Sequence, residues 1–273
     1  MSAAVSSHEA PVKTRKFDSG MLAREFRVSE VLMDAFVNRF APACVDPGKY
    51  HAASEVMLFI HIPKTAGVSV GQTLQGAFDH FHGVEWNDIS NSFRSQSRHA
   101  LYQSSRADER HVVMGHFGWP EMQMFRNHEL PLKCGTFLRD PVARTISNYN
   151  YNCSTSHPAH ESFIRRFPTL DSYVDQIPVD VQVTQALGFV SSLENSLEKL
   201  IRYYSFLGVT EKLSASLTHL GLSHGFSRMQ EYRKNVGRTT NQAEIPLELV
   251  SKIRRRSHHD MRLHDLVMRL YQE

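Results

Sequence analysis

The sequence predicts an α/β fold in which a parallel sheet is flanked by helices. Three observations support this. Short runs of consecutive apolar residues recur along the chain, as in strands that are covered on both faces. Segments with helical periodicity separate these runs, which is typical of a parallel sheet with crossover connections. The first apolar run is followed by a tight polar turn and then a helix, a P-loop-like arrangement.

The predicted elements follow in chain order. The expected strands are 57–62, 111–117, 132–138 and 203–209. A helix after the first strand would use Val70, Leu74, Phe78 and Phe81, and residues 84–110 read as polar and irregular. Asp140 and Pro141 predict a helix start as N-cap and N1 residues. Further helices are expected over 213–220 and from residue 246 onward, and 152–180 read as an insertion over the site.

The N-terminal region reads as an extension of the main domain. Residues 1–16 look disordered, and apolar residues over 19–40 form one approximate helical stripe. Pro42, Pro47 and Gly48 then interrupt the chain. We therefore expect 1–50 to be a tail plus an appended helix, and 55–273 to be the main domain. The helix would pack on the domain; the alternative is a homodimer arm or a partner-docking helix.

Composition narrows the class of protein. The 273 residues are 41% hydrophobic, ample for a core, and the net charge of +3 does not indicate a nucleic-acid-binding protein. Three widely spaced cysteines predict neither a disulfide framework nor a metal knuckle. Neither a signal peptide nor an apolar run of membrane-spanning length is evident. We expect a soluble, cytoplasmic protein.

Two segments carry phosphate-binding chemistry. In the first loop Lys64 provides a mobile charge, Thr65 and Ser69 provide hydroxyls, Gly67 allows close approach of a ligand, and the following helix N-terminus favours an anion. The segment is not a Walker A motif, because its lysine precedes the glycine. The second segment has Arg139 at a strand-to-helix junction. Two such sites on one scaffold suggest a ligand with phosphates at both ends.

These two segments resemble the sulfotransferases that use 3′-phosphoadenosine 5′-phosphosulfate (PAPS). The loop His61-Ile62-Pro63-Lys64-Thr65-Ala66-Gly67-Val68-Ser69 is similar to the family's 5′-phosphosulfate loop. Phe137-Leu138-Arg139-Asp140-Pro141-Val142-Ala143-Arg144, continuing through Ser147, is similar to its 3′-phosphate motif. The resemblance is to the carbohydrate type, such as the heparan sulfate 2-O- and 6-O-sulfotransferases and their bacterial relatives. Val68 departs from the pattern, since the family often has a hydroxyl residue there.

The resemblance implies roles for individual residues. Lys64 would stabilise the bridging oxygen as the sulfuryl group leaves. Residues Thr65, Ala66, Gly67, Val68 and Ser69 would hold the 5′-phosphate. Arg139 and Ser147 would hold the 3′-phosphate, and Arg238 and Thr240 would close over the nucleotide. The implied acceptor is a hydroxyl group on a carbohydrate; a hydroxylated lipid or a carrier-bound acyl chain is the alternative.

His116 is the predicted general base. It follows the second predicted strand, where a parallel sheet presents its ligand edge, and imidazole accepts protons near neutral pH. Glu85 and His82 are the rival bases. The alternative without a catalytic role is a structural histidine that packs beside Trp119. For Arg139 the corresponding alternative is pairing with a helix end.

No metal is expected. His258, His259, Asp260, His264 and Asp265 would scatter around a helix, so a solvated polar face is the better interpretation. Two other classes of function remain as rivals. A kinase would require a Gly-Lys-Ser/Thr sequence and a metal-holding aspartate at a strand end, which are not evident. A non-catalytic nucleotide-binding module would not require Lys64 or His116.

Overall fold

The structure is a computed structural model, and it describes residues 17–45, 55–106, 109–124, 132–226, 229–230, 232 and 245–272. Its centre is a five-stranded parallel sheet with the strands β1 (Glu55–Ile60), β2 (His80–Gly83), β3 (Arg110–Gly115), β4 (Leu132–Leu138) and β5 (Tyr204–Val209). The strand order is β2-β3-β1-β4-β5, and every neighbouring pair is parallel. The predicted α/β fold class is confirmed.

Helices cover both faces of the sheet. They are α1 (Ser19–Phe26), α2 (Glu30–Phe40), α3 (Gly67–Ala77), α4 (Ile89–Ser104), α5 (Trp119–Gln123), α6 (Pro141–Cys153), α7 (His160–Arg166), α8 (Leu170–Gln176), α9 (Val181–Leu187), α10 (Leu193–Tyr203), α11 (Leu213–Ser223), α12 (Leu247–Arg256) and α13 (His258–Leu270). Alternate residues of β1 enter two different clusters. Met57 and Phe59 pack with α3 and α11, whereas Val56, Leu58 and Ile60 pack with α2, α4, α10 and α13.

Several predicted elements need correction. Residues 84–110 were expected to be irregular, but 89–104 form α4, whose buried Phe93 and Ala100 pack against the sheet. Phe81 lies on strand β2 and not on the preceding helix, which ends at Ala77. The predicted C-terminal helix is two helices, α12 and α13, which meet at Ser257.

The N-terminal segment contains two helices instead of one. Arg27 adopts a left-handed conformation (φ 54°) and ends α1, and the Ser29 hydroxyl accepts a hydrogen bond from the Leu32 N–H to start α2. Phe36 and Phe40 of α2 are fully buried in the main core. The segment therefore contributes to the core of the domain. The tail at 1–16 lies outside the described residues.

The strand order creates a crevice between β1 and β4. After β1 the chain continues toward the β2 end of the strand order, and after β4 it continues toward the β5 end. Ligands of open α/β sheets bind at such a switch point, beyond the carboxyl ends of the strands. The loop after β1 and the junction after β4 both lie at this edge. Within the described residues, no helix is long and apolar enough to cross a membrane.

Candidate phosphate-binding and proton-transfer site

The loop after β1 is held in an unusual backbone conformation. Lys64 (φ 73°) and Ala66 (φ 60°) are both left-handed, a conformation that is costly for residues with a β-carbon. The buried Thr65 between them donates its hydroxyl to the Ile62 carbonyl at 2.8 Å, which fixes the turn. Such turns direct successive backbone N–H groups to one side, where an anion can bind.

Helix α3 begins directly after this loop and has no side-chain cap. Its N-cap is Ala66, whose side chain has no hydrogen-bonding group, and the first hydrogen bond of the helix runs from the Val70 N–H to the Ala66 carbonyl. The first turn of a helix has N–H groups without intrahelical partners, and it carries partial positive charge. An anion at this position would bind at the place where a capping side chain normally does.

Two cations stand beside this helix end. The Arg139 guanidinium donates from Nη1 to the Lys64 carbonyl at 3.0 Å, so the junction after β4 is tied directly to the loop. The Lys64 ammonium lies 4.3 Å from the centre of the Tyr151 ring. Burial and the nearby Arg139 charge lower the pKa of Lys64. Among the described residues neither cation forms an ion pair with a carboxylate.

The backbone of Arg139 is fixed by a glutamine. The Gln182 side chain accepts from the Arg139 N–H and donates to its carbonyl, both at 2.9 Å. Asp140 caps α6 as predicted, because its carboxylate accepts from the Ala143 N–H at 2.7 Å. These contacts place the guanidinium over the crevice between β1 and β4.

Ser147 lies on α6 and is half-buried. Among the described residues, no hydrogen bond joins it to Arg139. Its part in a shared phosphate site therefore stays a prediction. Arg238 and Thr240 lie outside the described residues.

His116, the predicted base, follows β3, and a hydrogen bond fixes the tautomer of its ring. Its Nδ1 lies 2.9 Å from the His61 carbonyl oxygen. Because a carbonyl only accepts, Nδ1 carries the proton, and the lone pair of the neutral ring is on Nε2. Burial lowers the pKa of His116, and the hydrogen bond to His61 raises it in part. The imidazole is therefore neutral at neutral pH, as a general base must be.

His61 supports both His116 and the loop, a role that the sequence did not predict. The two imidazoles stack with ring centres 4.4 Å apart. A β-carbon on Gly67 would lie 1.7 Å from His61 Nε2, so a glycine is required for the loop to pass over this ring. Burial, together with the charges of His116 and Lys64, lowers the pKa of His61 to about 3. His61 is thus a neutral packing group beneath the site.

Gln185 is a second residue that the sequence analysis missed. Its side-chain amide donates to the carbonyls of His61, His116 and Phe117, at 3.2 to 3.3 Å. It therefore joins the segments that follow β1 and β3. Gln182, Gln185 and Tyr151 belong to no recognisable motif, so only their position in the fold identifies them.

The two rival bases lie further along the edge of the sheet. His82 is on β2, and its Nε2 lies 3.1 Å from His111 Nδ1, so it belongs to a different cluster of histidines. Glu85 is exposed just after β2, two strands away from β1 in the sheet. Both rivals belong to β2 or to the segment after it, and His116 stays the predicted base.

The chain matches no protein-family model and no curated protein. Among solved structures it is similar to the mouse sulfotransferase SULT7A1, whose structure was determined in complex with PAP. That similarity has a TM-score of 0.39 and 11% sequence identity, and it covers 79% of this chain and 69% of the mouse chain. A similarity of this size establishes neither a family nor a substrate.

Proposed function

We propose that the chain is a PAPS-dependent sulfotransferase. The observation that carries the proposal is a pair of cations, Lys64 and Arg139, at the N-terminus of α3, where the N-cap Ala66 has no capping side chain and no carboxylate of the described residues pairs with either cation. This arrangement fits a ligand with more than one anionic group. The base at the neighbouring strand end, His116, supplies what transfer to a hydroxyl requires.

The nucleotide would occupy the crevice between β1 and β4. Backbone N–H groups of 66–69 would bind the 5′-phosphate, whereas the Thr65 N–H donates to the Ile62 carbonyl. The Thr65 and Ser69 side chains would shape the loop from beneath, since both are buried. Exposed Val68 would contribute its backbone only. Arg139 and Ser147 would bind the 3′-phosphate, and Arg238 with Thr240 would close over the nucleotide.

The residues of the site would then act in one step. His116 Nε2 takes the proton of the acceptor hydroxyl while the new oxygen–sulfur bond forms. The bond from sulfur to the bridging phosphate oxygen breaks in line with this attack, and the Lys64 ammonium stabilises the charge on the leaving adenosine 3′,5′-bisphosphate. The proton ends on His116, the sulfuryl group on the acceptor oxygen and the leaving phosphate on the bisphosphate, and no further reactant is needed.

We propose a carbohydrate hydroxyl as the acceptor, on the resemblance of the two phosphate motifs to the carbohydrate type. Exposed Trp86, in the segment after β2, would offer its ring to the apolar face of a sugar. The Val84 N–H donates to the Met114 carbonyl of β3 at 2.8 Å, and Trp86, two residues on, is 73% exposed. A lipid hydroxyl or a carrier-bound acyl chain is the alternative acceptor.

Two measurements test the proposal. Calorimetry should show that adenosine 3′,5′-bisphosphate binds without a metal ion and more tightly than ATP with Mg²⁺. Transfer of label from ³⁵S-PAPS to a panel of glycan, lipid and carrier acceptors should then identify the acceptor class. Preference for ATP–Mg²⁺ would contradict the proposal. Tight binding of the bisphosphate with no transfer to any acceptor would favour the non-catalytic module.

A further inference from the structure

A cluster of histidines lies near the amino ends of β2 and β3, whereas the phosphate loop follows the carboxyl end of β1. His80 is the first residue of β2, and His111 is its register partner on β3. Neighbours in register on parallel strands project from the same face, so the two imidazoles stack, with ring centres 4.6 Å apart. Glu109, immediately before β3, lies with its carboxylate 3.0 Å from His80 Nε2.

The ligand atoms of these three residues converge. Glu109 Oε2 is 3.0 Å from His80 Nε2 and 3.9 Å from His111 Nε2, and one such atom from each residue lies within 4.8 Å of the others. A tetrahedral Zn²⁺ with bonds of about 2.0–2.1 Å separates its ligand atoms by about 3.3 Å. The separations in the cluster bracket this value, and the side chains of His80 (47% exposed) and Glu109 (42% exposed) have room to adjust.

His111 supplies independent evidence for a ligand. It is 1% exposed, and its buried Nε2 has no hydrogen-bond partner, although buried nitrogens are nearly always paired. Its other nitrogen, Nδ1, lies 3.1 Å from His82 Nε2. If Nδ1 donates to His82, then Nε2 presents a bare lone pair toward Glu109. Metal-bound histidines typically have this arrangement, with the second ring nitrogen donating to a neighbour that fixes the tautomer.

We propose that His80, Glu109 and His111 form a binding site for one Zn²⁺ ion. Two imidazoles and a carboxylate match the preferences of zinc, and solvent would take the fourth position. The ion would join β2, a short edge strand of four residues, to β3. It would act at the amino end of the strands, away from Lys64 and His116, so its role would be structural. This site was not predicted from the sequence, in which no metal was expected either at the cysteines or at the histidines and aspartates of the C-terminal helix.

Titration of the full chain, without an affinity tag and stripped with a chelator, tests this site. Calorimetry with ZnCl₂ should give one equivalent of tight binding. Substituting the exposed ligands, His80→Gln or Glu109→Gln, should weaken binding by more than the roughly 10- to 100-fold typical of a residue that only supports a ligand. His258→Gln removes an exposed histidine on α13 and should leave binding unchanged. Circular dichroism checks that each variant is folded.

Co²⁺ identifies the donor atoms. Bound at this site, it should give visible bands of tetrahedral type without the near-ultraviolet thiolate band that Cys44 or Cys153 would cause. The proposal is overturned if His80→Gln and Glu109→Gln bind Zn²⁺ as wild type does, or if a thiolate band appears. It is also overturned if wild type binds no tighter than the His80→Gln variant. No outcome depends on transferase activity, so failure here is separate from failure of the proposed function.

Discussion

His116 combines the three properties of a general base: a defined tautomer, a lowered pKa and a place beside the phosphate loop. Its proton is on Nδ1 because the His61 carbonyl requires a donor, which leaves Nε2 to accept. Replacing His116 by alanine should reduce turnover by about 10²–10⁴, the value of a positioned base. Adenosine 3′,5′-bisphosphate should still bind in a calorimetric titration. Retained activity in this variant, with loss in Glu85→Gln, would move the base to the segment after β2.

The pH dependence of the wild type follows from the same residue. Burial lowers the pKa of His116 below its usual 6.5, so the base stays unprotonated until the solution is acidic. We expect kcat/KM to be flat above neutrality and to fall only as the pH drops below 6.5. A fall in rate centred above pH 7 would show that a different group accepts the proton.

One hydrogen bond joins the Arg139 guanidinium to the Lys64 carbonyl. We nevertheless expect Lys64 to stabilise the transition state and Arg139 to stabilise the bound nucleotide. Charge builds on the bridging oxygen only as its bond to sulfur breaks, so Lys64→Ala should reduce kcat far more than nucleotide affinity. Lys212→Ala, on the short turn after β5, is the matched control. If Lys64→Ala weakens binding and leaves kcat unchanged, Lys64 is a binding residue only.

Arg139→Ala should weaken binding of adenosine 3′,5′-bisphosphate by about 1.5–3 kcal/mol, the range for a hydrogen bond to a charged group. Adenosine 5′-phosphate lacks the 3′-phosphate, so its affinity should change much less. Both nucleotides have to be measured, because the guanidinium also donates to the Lys64 carbonyl, and its loss could alter the 5′-phosphate loop. Equal losses for both nucleotides, measured by calorimetry, would show that Arg139 only shapes the 5′-phosphate loop.

Helix α2 is part of the core although it precedes the predicted domain boundary. The side chains of Phe36 and Phe40 are fully buried, and their ring centres are 4.9 Å apart. Phe36→Ala should therefore lower the free energy of unfolding by about 3–5 kcal/mol. Val31→Ala, at a position that is 83% exposed on the same helix, should change it by less than about 0.5 kcal/mol. Denaturant unfolding measures both; a small loss for Phe36→Ala would show that α2 is only appended.

The boundary near residue 50 and a homodimer formed through the N-terminal segment stay predictions. The apolar faces of α1 and α2 are committed to the chain's own core. A partner would have to bind the exposed residues, among them Met21 and Val31.

The sequence predicts those elements whose signal is local. The apolar runs of β1, β3, β4 and β5 and the Asp140-Pro141 helix start are visible in a few consecutive residues, and the structure confirms them. Strand β2 has four residues and only one apolar side chain, and α4 has many serines, so neither could be recognised from its pattern. The contacts of Gln182, Gln185 and Tyr151 depend on tertiary structure, because they span up to 124 positions.

An ion pair between Glu211 and His264 connects α13 and the turn after β5 to the start of α6. Glu211, just after β5, accepts from the Asp140 N–H at 2.8 Å and lies 3.2 Å from His264 Nε2 on α13. Burial lowers the pKa of His264, but the carboxylates of Asp265 and Glu211, with Asp140 further away, outweigh it and raise the pKa to about 9. Protonated His264 therefore stabilises the folded chain.

Because the pKa of His264 is higher in the folded chain than in the unfolded chain, its contribution is complete below about pH 6.5 and is lost as the pH rises through 9. We expect the loss to be on the order of 2 to 3 kcal/mol. Urea unfolding at pH 6.5 and 9.5 should show a smaller difference for His264→Gln than for wild type, whereas the exposed control His258→Gln should match wild type. If His264→Gln loses as much stability between these two pH values as wild type does, His264 is not charged in the folded chain and the connection from α13 to Asp140 is made by hydrogen bonds alone.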